Sequence, residues 1–121
     1  MRVYIAGPYT HPDPVVNTRL AVEAAERLMS LDPTITPYVP HLSMLWHLIV
    51  PHDIHWWYVF DLRWVDVCDC VLRLPGESSG AAAECAYARE KGIPVFVDGP
   101  TLLINAYDAI VALAERKRAA E

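Results

Sequence analysis

A chain of 121 residues is the size of a single domain and can bury roughly two-thirds of its unfolded surface. Its residues are 54% hydrophobic and 21% charged, an apolar excess that predicts burial between subunits and therefore an oligomer. A net charge of −5 with no basic stripe argues against a nucleic-acid polymer as partner, and no apolar run approaches the ~18 residues of a membrane span.

Met1-Arg2 leads straight into the apolar run Val3-Tyr4-Ile5-Ala6, so the sequence predicts no signal peptide and a short buried strand closed by Gly7-Pro8. A proline-containing loop follows through Pro14. Over residues 15–31, Val16, Leu20, Ala24, Leu28 and Leu31 recur at helical spacing and predict a helix with one buried face. Asp32-Pro33 ends it, and residues 35–39 predict a second strand interrupted by Pro37. Residues 40–58 hold four of the five histidines (His41, His47, His52, His55), with Pro40 and Pro51 as breaks. They predict irregular or short-helical structure lying over a pocket. A helix over 57–67 delivers Asp61, and a strand over 70–74 follows. Residues 79–91 predict a helix with Gly92 as its C′ residue, 93–97 a strand, and about 102–119 the last helix. Arg116-Lys117-Arg118 is read as completing that helix's C-terminus.

Strands alternating with helices at this spacing predict one domain, residues 1–121, of the α/β class. Its parallel sheet is small and doubly wound, Rossmann- or flavodoxin-like, with helices on both faces. Ligands of such folds sit beyond the C-terminal strand ends. That edge gathers Gly7, Pro8 and Tyr9, the loop at Pro40-His41, the turn Ser78-Ser79-Gly80, and Asp98-Gly99. Cys68, Cys70 and Cys85 lack Cys-x-x-Cys spacing and predict reduced, buried thiols in a cytoplasmic protein.

The segment from Leu74 to Glu84 carries the most chemistry. An apolar strand gives way to Pro75-Gly76, two serines, a glycine and an alanine-rich helix, so hydroxyls and free N–H groups collect at a helix N-terminus suited to an anion or to sugar oxygens. Glu84 sits about a turn into that helix with no cation within four residues, either as nucleophile or base, or simply as a complement to the helix dipole. Asp61 offers a second carboxylate, one to attack and one to protonate a leaving group; its alternative role is a surface charge beside Arg63. Asp69 reads as a turn or capping residue. The histidine spacings match no metal-binding pattern, and neither a metal nor a cofactor is expected.

With these residues laid out, the chain resembles the nucleoside 2-deoxyribosyltransferase superfamily, which includes deoxynucleoside 5′-monophosphate N-glycosidases. The likeness rests on Val3-Tyr4-Ile5-Ala6-Gly7-Pro8, on Asp61-Leu62-Arg63-Trp64 with Asp69, on Ser78-x-Gly80-x-x-x-Glu84, and on Gly92-Ile93-Pro94-Val95 leading to a region with Asn105. It implies a retaining double displacement on a small nucleotide or nucleoside. Glu84 would attack C1′, Tyr4 would orient it, and Asp61 would help the base depart. It also implies an oligomer in which a neighbour completes the site, with Asn105 as the candidate contribution. Ser78, six residues before Glu84, matches the monophosphate hydrolases, whereas nucleoside transferases tend to carry aspartate there. Pro8 and Thr10 depart from the serine and arginine of the hydrolases' first loop, and Glu77 adds a negative charge. The rivals are a base-exchanging deoxyribosyltransferase, a phosphoribohydrolase (whose Gly-Gly-x-Gly-Thr loop is missing after Pro75), and a non-catalytic nucleotide-binding module.

Overall fold

The computed structural model describes residues 1–99 and 105–121. Its sheet has four parallel strands, β1 (Arg2–Ala6), β2 (Thr36–Tyr38), β3 (Cys70–Arg73) and β4 (Val95–Val97), in the order β2-β1-β3-β4. Among the described residues the helices are α1 (Pro14–Leu31), α2 (Met44–Ile49), α3 (Ile54–Val67), α4 (Ser79–Glu90) and α5 (Ala106–Ala120), with a 3-10 turn at Pro40–Ser43 before α2. This is the doubly wound α/β arrangement that the alternation of elements predicts.

Parallel strands are covered on both faces, which is why β1 and β3 are almost uniformly apolar. Successive residues serve two separate cores. Val3, Ile5, Cys70 and Leu72 pack on Ala21, Ala24, Ala25 and Leu28 of α1 and on Ala106, Tyr107, Ile110 and Ala114 of α5. Tyr4, Ala6 and Val71 pack on Val65 of α3 and on Ala81, Cys85 and Ala88 of α4. Most of the helix positions in contact are alanines, so the helices lie close against the sheet.

Four helices begin at a side-chain cap. Asp13 accepts from the Val15 and Val16 N–H groups at 2.8 and 3.2 Å, and Asp53 accepts from Trp56 at 2.9 Å. Ser78 accepts from Ala81 at 3.1 Å and Asn105 from Tyr107 at 2.8 Å. Such caps contribute about 1 kcal/mol each. Gly92, at φ +74°, follows the C-cap Lys91, as the sequence predicts.

Several predicted boundaries shift for local reasons. Ile35 N–H turns back to the Asp32 carbonyl and Ile93 N–H closes α4 on Ala88, so neither residue joins its strand. The Asp53 cap starts α3 at Ile54 rather than at residue 57. Pro37 is accommodated because β2 is an edge strand. The predicted start of the last helix at residue 102 lies outside the described residues. The predicted face of α1 is rotated: Asn17, Ala21, Ala24, Ala25 and Leu28 are buried, while Val16, Leu20 and Leu31 are exposed. Small residues win the sheet contact, and Asn17 anchors the helix start by donating to the Tyr9 and His11 carbonyls, each at 2.9 Å.

The basic C-terminal run does more than complete α5. Lys117 lies 3.3 Å from Asp69, whose other oxygen accepts the Arg2 N–H, and Arg118 donates to buried Asp32 at 2.7 Å. Thr34 and Arg118 hold the Asp32 carboxyl down to about 2. Leu28→Ala should cost about 3 kcal/mol in denaturant unfolding, whereas Leu20→Ala, at a side chain 53% exposed, should change stability by less than about 0.5 kcal/mol.

Candidate active site

The chain passes from β1 through α1 to β2 on one side, then crosses back from β2 by way of α3 to β3 on the other side of β1. The crevice between β1 and β3 is therefore the switch point of the sheet. Strand alternation directs Tyr4 of β1 toward α3 and α4, where its side chain is fully buried. Glu84 shares the inner face of α4 with Ala81, Cys85 and Ala88 and is only 8% exposed. The Tyr4 hydroxyl donates to Glu84 Oε2. Burial raises the Tyr4 pKa well above its ordinary value, so the phenol keeps its proton and remains a donor.

Burial also pushes the Glu84 carboxyl up to about 7, against the lowering effect of the Tyr4 hydroxyl and the Arg73 charge. Asp61, reaching in from α3, is raised further, to about 8, first by burial and then by repulsion from Glu84. Its Oδ1 is buried and has no hydrogen-bond partner among the described residues. The pair titrates as a unit, burial holding both carboxyls above the ordinary carboxylate range so that the two share a proton near neutral pH. Near neutral pH one carboxylate and one carboxylic acid therefore face the same space. Tyr38 closes the wall beside them, its ring 5.8 Å from Tyr4 and stacked on Trp64 at 4.8 Å.

The other predicted residues take distinct places. His41, 3% exposed, donates from Nε2 to the Pro8 carbonyl at 2.9 Å, and its Nδ1 is buried without a partner among the described residues. Burial lowers its pKa and keeps the ring neutral. Gly7 comes so close to Leu74 that an added Cβ would stand 3.1 Å from the Leu74 Cβ. Gly76 adopts φ +112°, and a Cβ there would meet the Pro8 ring at 2.8 Å, so both its conformation and its contact require glycine. Ser78 is half-buried, and its oxygen caps α4. Ser79 and Gly80 are exposed at the first turn, where helical N–H groups lack intrahelical acceptors. Asn105 caps α5, a helix packed on the sheet face opposite Tyr4 and Glu84.

His47 and His52 belong to an aromatic cluster. Trp57 Nε1 donates to His47 Nδ1 at 2.7 Å, and His52 stacks on Trp56 at 3.6 Å. No set of three metal-ligating side chains converges among the described residues. A separate cleft of about 310 Å³ opens on the α1 and α5 side of the strand ends, between Pro8, Pro75, Asp98, Arg27 and Tyr107, and contains neither carboxylate. Sequence reasoning passed over Arg73, whose side chain folds back toward the loop after β3, and over Tyr38, whose edge-strand position gave no signal.

Tyr4→Phe should raise the pH at which Glu84 ionises, read by carbon NMR of labelled glutamate, because it removes a donor to the charged form. Asp61→Asn should stabilise the fold at pH 8 relative to wild type. The sign follows from linkage. Asp61 ionises near the ordinary carboxyl value when unfolded but near 8 when folded, so native stability falls as pH rises through that window. The advantage of the Asn variant should therefore vanish toward pH 4 in thermal melts.

No family model matches the chain, and no curated protein does. Its structure is similar to the crystal structure of a conserved protein from Enterococcus faecalis V583, with a TM-score of 0.68 and 24% identity over 84% of this chain. The chain spans 64% of that protein's length. At this identity the likeness shows a shared fold.

Proposed function

We propose that the chain is a cytoplasmic N-glycosidase that hydrolyses the base–sugar bond of a (deoxy)nucleoside 5′-monophosphate. The observation that carries the reading is the buried Tyr4–Glu84–Asp61 constellation, a carboxylate held by a phenol beside a carboxyl that retains its proton. The sequence resemblance to the nucleoside 2-deoxyribosyltransferase superfamily assigns the same three residues.

Ionised Glu84 attacks C1′ while the bond from C1′ to the base nitrogen breaks and Asp61 gives its proton to the departing base. The result is a glycosyl ester on Glu84, free base, and an Asp61 carboxylate. Water then attacks C1′, its proton passes to Asp61, and Glu84 leaves as carboxylate. The positive charge that develops on the sugar ring faces the Glu84 oxygen, and the Tyr4 hydroxyl keeps that oxygen aimed. Ser78, Ser79 and Gly80 at the start of α4 suit the 5′-phosphate, with Gly7, Pro8 and His41 on the neighbouring loops framing the nucleotide. Exposed Leu45, Trp46, Ile49, Ile54 and Trp56 on α2 and α3 support a homodimer or homotetramer, in which Asn105 would complete a neighbour's site. Exposed Glu77, next to Ser78, favours one other reading, exchange of bases between nucleosides that lack the phosphate.

Chromatography of free base tests the proposal, with ribo- and deoxynucleoside 5′-monophosphates and the matching nucleosides as substrates. Wild type should release base from monophosphates, and Glu84→Gln should be slower by about three orders of magnitude or more. Exchange confined to nucleosides with an acceptor base would instead favour the transferase. Binding without turnover across the panel would leave a nucleotide-binding module. The pH profile of kcat/KM should be a narrow bell, rising as Glu84 ionises near 7 and falling as Asp61 loses its proton near 8.

A further inference from the structure

Arg73 ends β3 opposite Ala6, so alternation places it on the same sheet face as Tyr4 and Val71. Its guanidinium turns back on the chain that follows. Nη1 donates to the Leu74 carbonyl and Nη2 to the Gly76 carbonyl, the latter at 2.9 Å. A planar fork spanning two carbonyls fixes a loop in a way that a single point donor does not. Gly76, held in this manner, lies against the Pro8 ring, and the Pro8 carbonyl in turn accepts from His41. One side chain thus secures the chain of contacts joining the three loops that border the switch point. The secured loop runs directly into Ser78 and the first turn of α4, the helix that carries Glu84.

We propose that Arg73 is a positioning residue for the glycosyl transfer, whose fork sets residues 74–78 against Pro8 and places a cation on the Glu84 side of the sheet. This rests on the reading of Glu84 as the nucleophile. The groups facing Glu84 are the Tyr4 hydroxyl from β1, the Asp61 carboxyl from α3, Arg73 from β3, the Cys85 thiol on its own helix and, further off, the Tyr38 hydroxyl from β2. Arg73 is the cation in this set, and its charge lowers the Glu84 pKa against the effect of burial. The loop geometry and the charge are separable contributions of the same side chain.

Arg73→Met and Arg73→Lys in the full chain separate them, read by carbon NMR titration of Glu84, amide hydrogen exchange of residues 74–80, and the pH profile of base release from deoxynucleoside 5′-monophosphates. The Met variant should raise the pH of Glu84 ionisation by about half a unit to one unit and move the acid limb of kcat/KM the same way. Its loop amides should exchange about tenfold faster or more. The Lys variant should titrate close to wild type while its loop exchanges as fast as in the Met variant. Should the Met variant fail to fold, loop exchange in the Lys variant decides the fork and the Glu84 titration of Arg73→Gln, which also removes the charge, decides the charge. An unmoved Glu84 titration in the Met variant, or wild-type loop exchange in the Lys variant, overturns the proposal. If wild type releases no base, the glycosidase reading falls, and the titration and exchange arms still decide what Arg73 does.

Discussion

The hydrogen bond from Tyr4 to Glu84 is the contact on which the rest of the structure turns. It joins the central strand to a helix 80 residues later in the chain, through the interior. A carboxylate buried among alanines would lose most of its hydration, and a neutral phenol that cannot readily give up its proton supplies a replacement. The same bond needs Tyr4 on the sheet face that α3 and α4 cover, which the alternation of side chains along β1 supplies. Asp61 then inherits the penalty. Buried, beside Glu84 and with no donor to its Oδ1 among the described residues, it has a pKa raised well above that of an ordinary surface aspartate.

Around that bond the loops at the C-terminal strand ends are tied to one another more than to solvent. His41, Pro8, Gly76 and Arg73 form a continuous set of contacts running from the edge strand to β3. Each link is simple: an imidazole on a carbonyl, a ring against a bare Cα, a guanidinium across two carbonyls. Their effect is that the loops bordering the switch point are held by contacts within the chain itself. The opposite edge of the sheet is secured separately, by Lys117 on Asp69 and Arg118 on Asp32.

How much of this was legible depended on whether the signal was local. The runs Val3-Tyr4-Ile5-Ala6 and Cys70-Val71-Leu72 could only be buried strands, and the Ser78 cap and Gly92 were readable because capping is a matter of a few adjacent residues. The face of α1 was not readable. Val16, Leu20 and Leu31 are as apolar as a core stripe, and only the fit of alanines against the sheet decides between the two faces. The link between Glu84 and Tyr4 has no spacing rule at all. It emerges only when β1 and α4 are packed together, which brings the Tyr4 hydroxyl onto Glu84. Arg73 could not be found from sequence, since a strand-terminal arginine looks like any solvated charge until the loop carbonyls it holds are in place.

The alanines beneath the helices have a consequence for how such a chain can drift. Seven of the helix positions facing the two cores are alanine: 21, 24, 25, 81, 88, 106 and 114. Each is a place where a longer side chain would have to lift a whole helix rather than repack a neighbour. Neutral substitution is thereby channelled away from the helix undersides and onto the outward surfaces of α2 and α3. There the bulky aromatic and aliphatic side chains stand in the open, and selection on stability alone would scarcely notice their replacement.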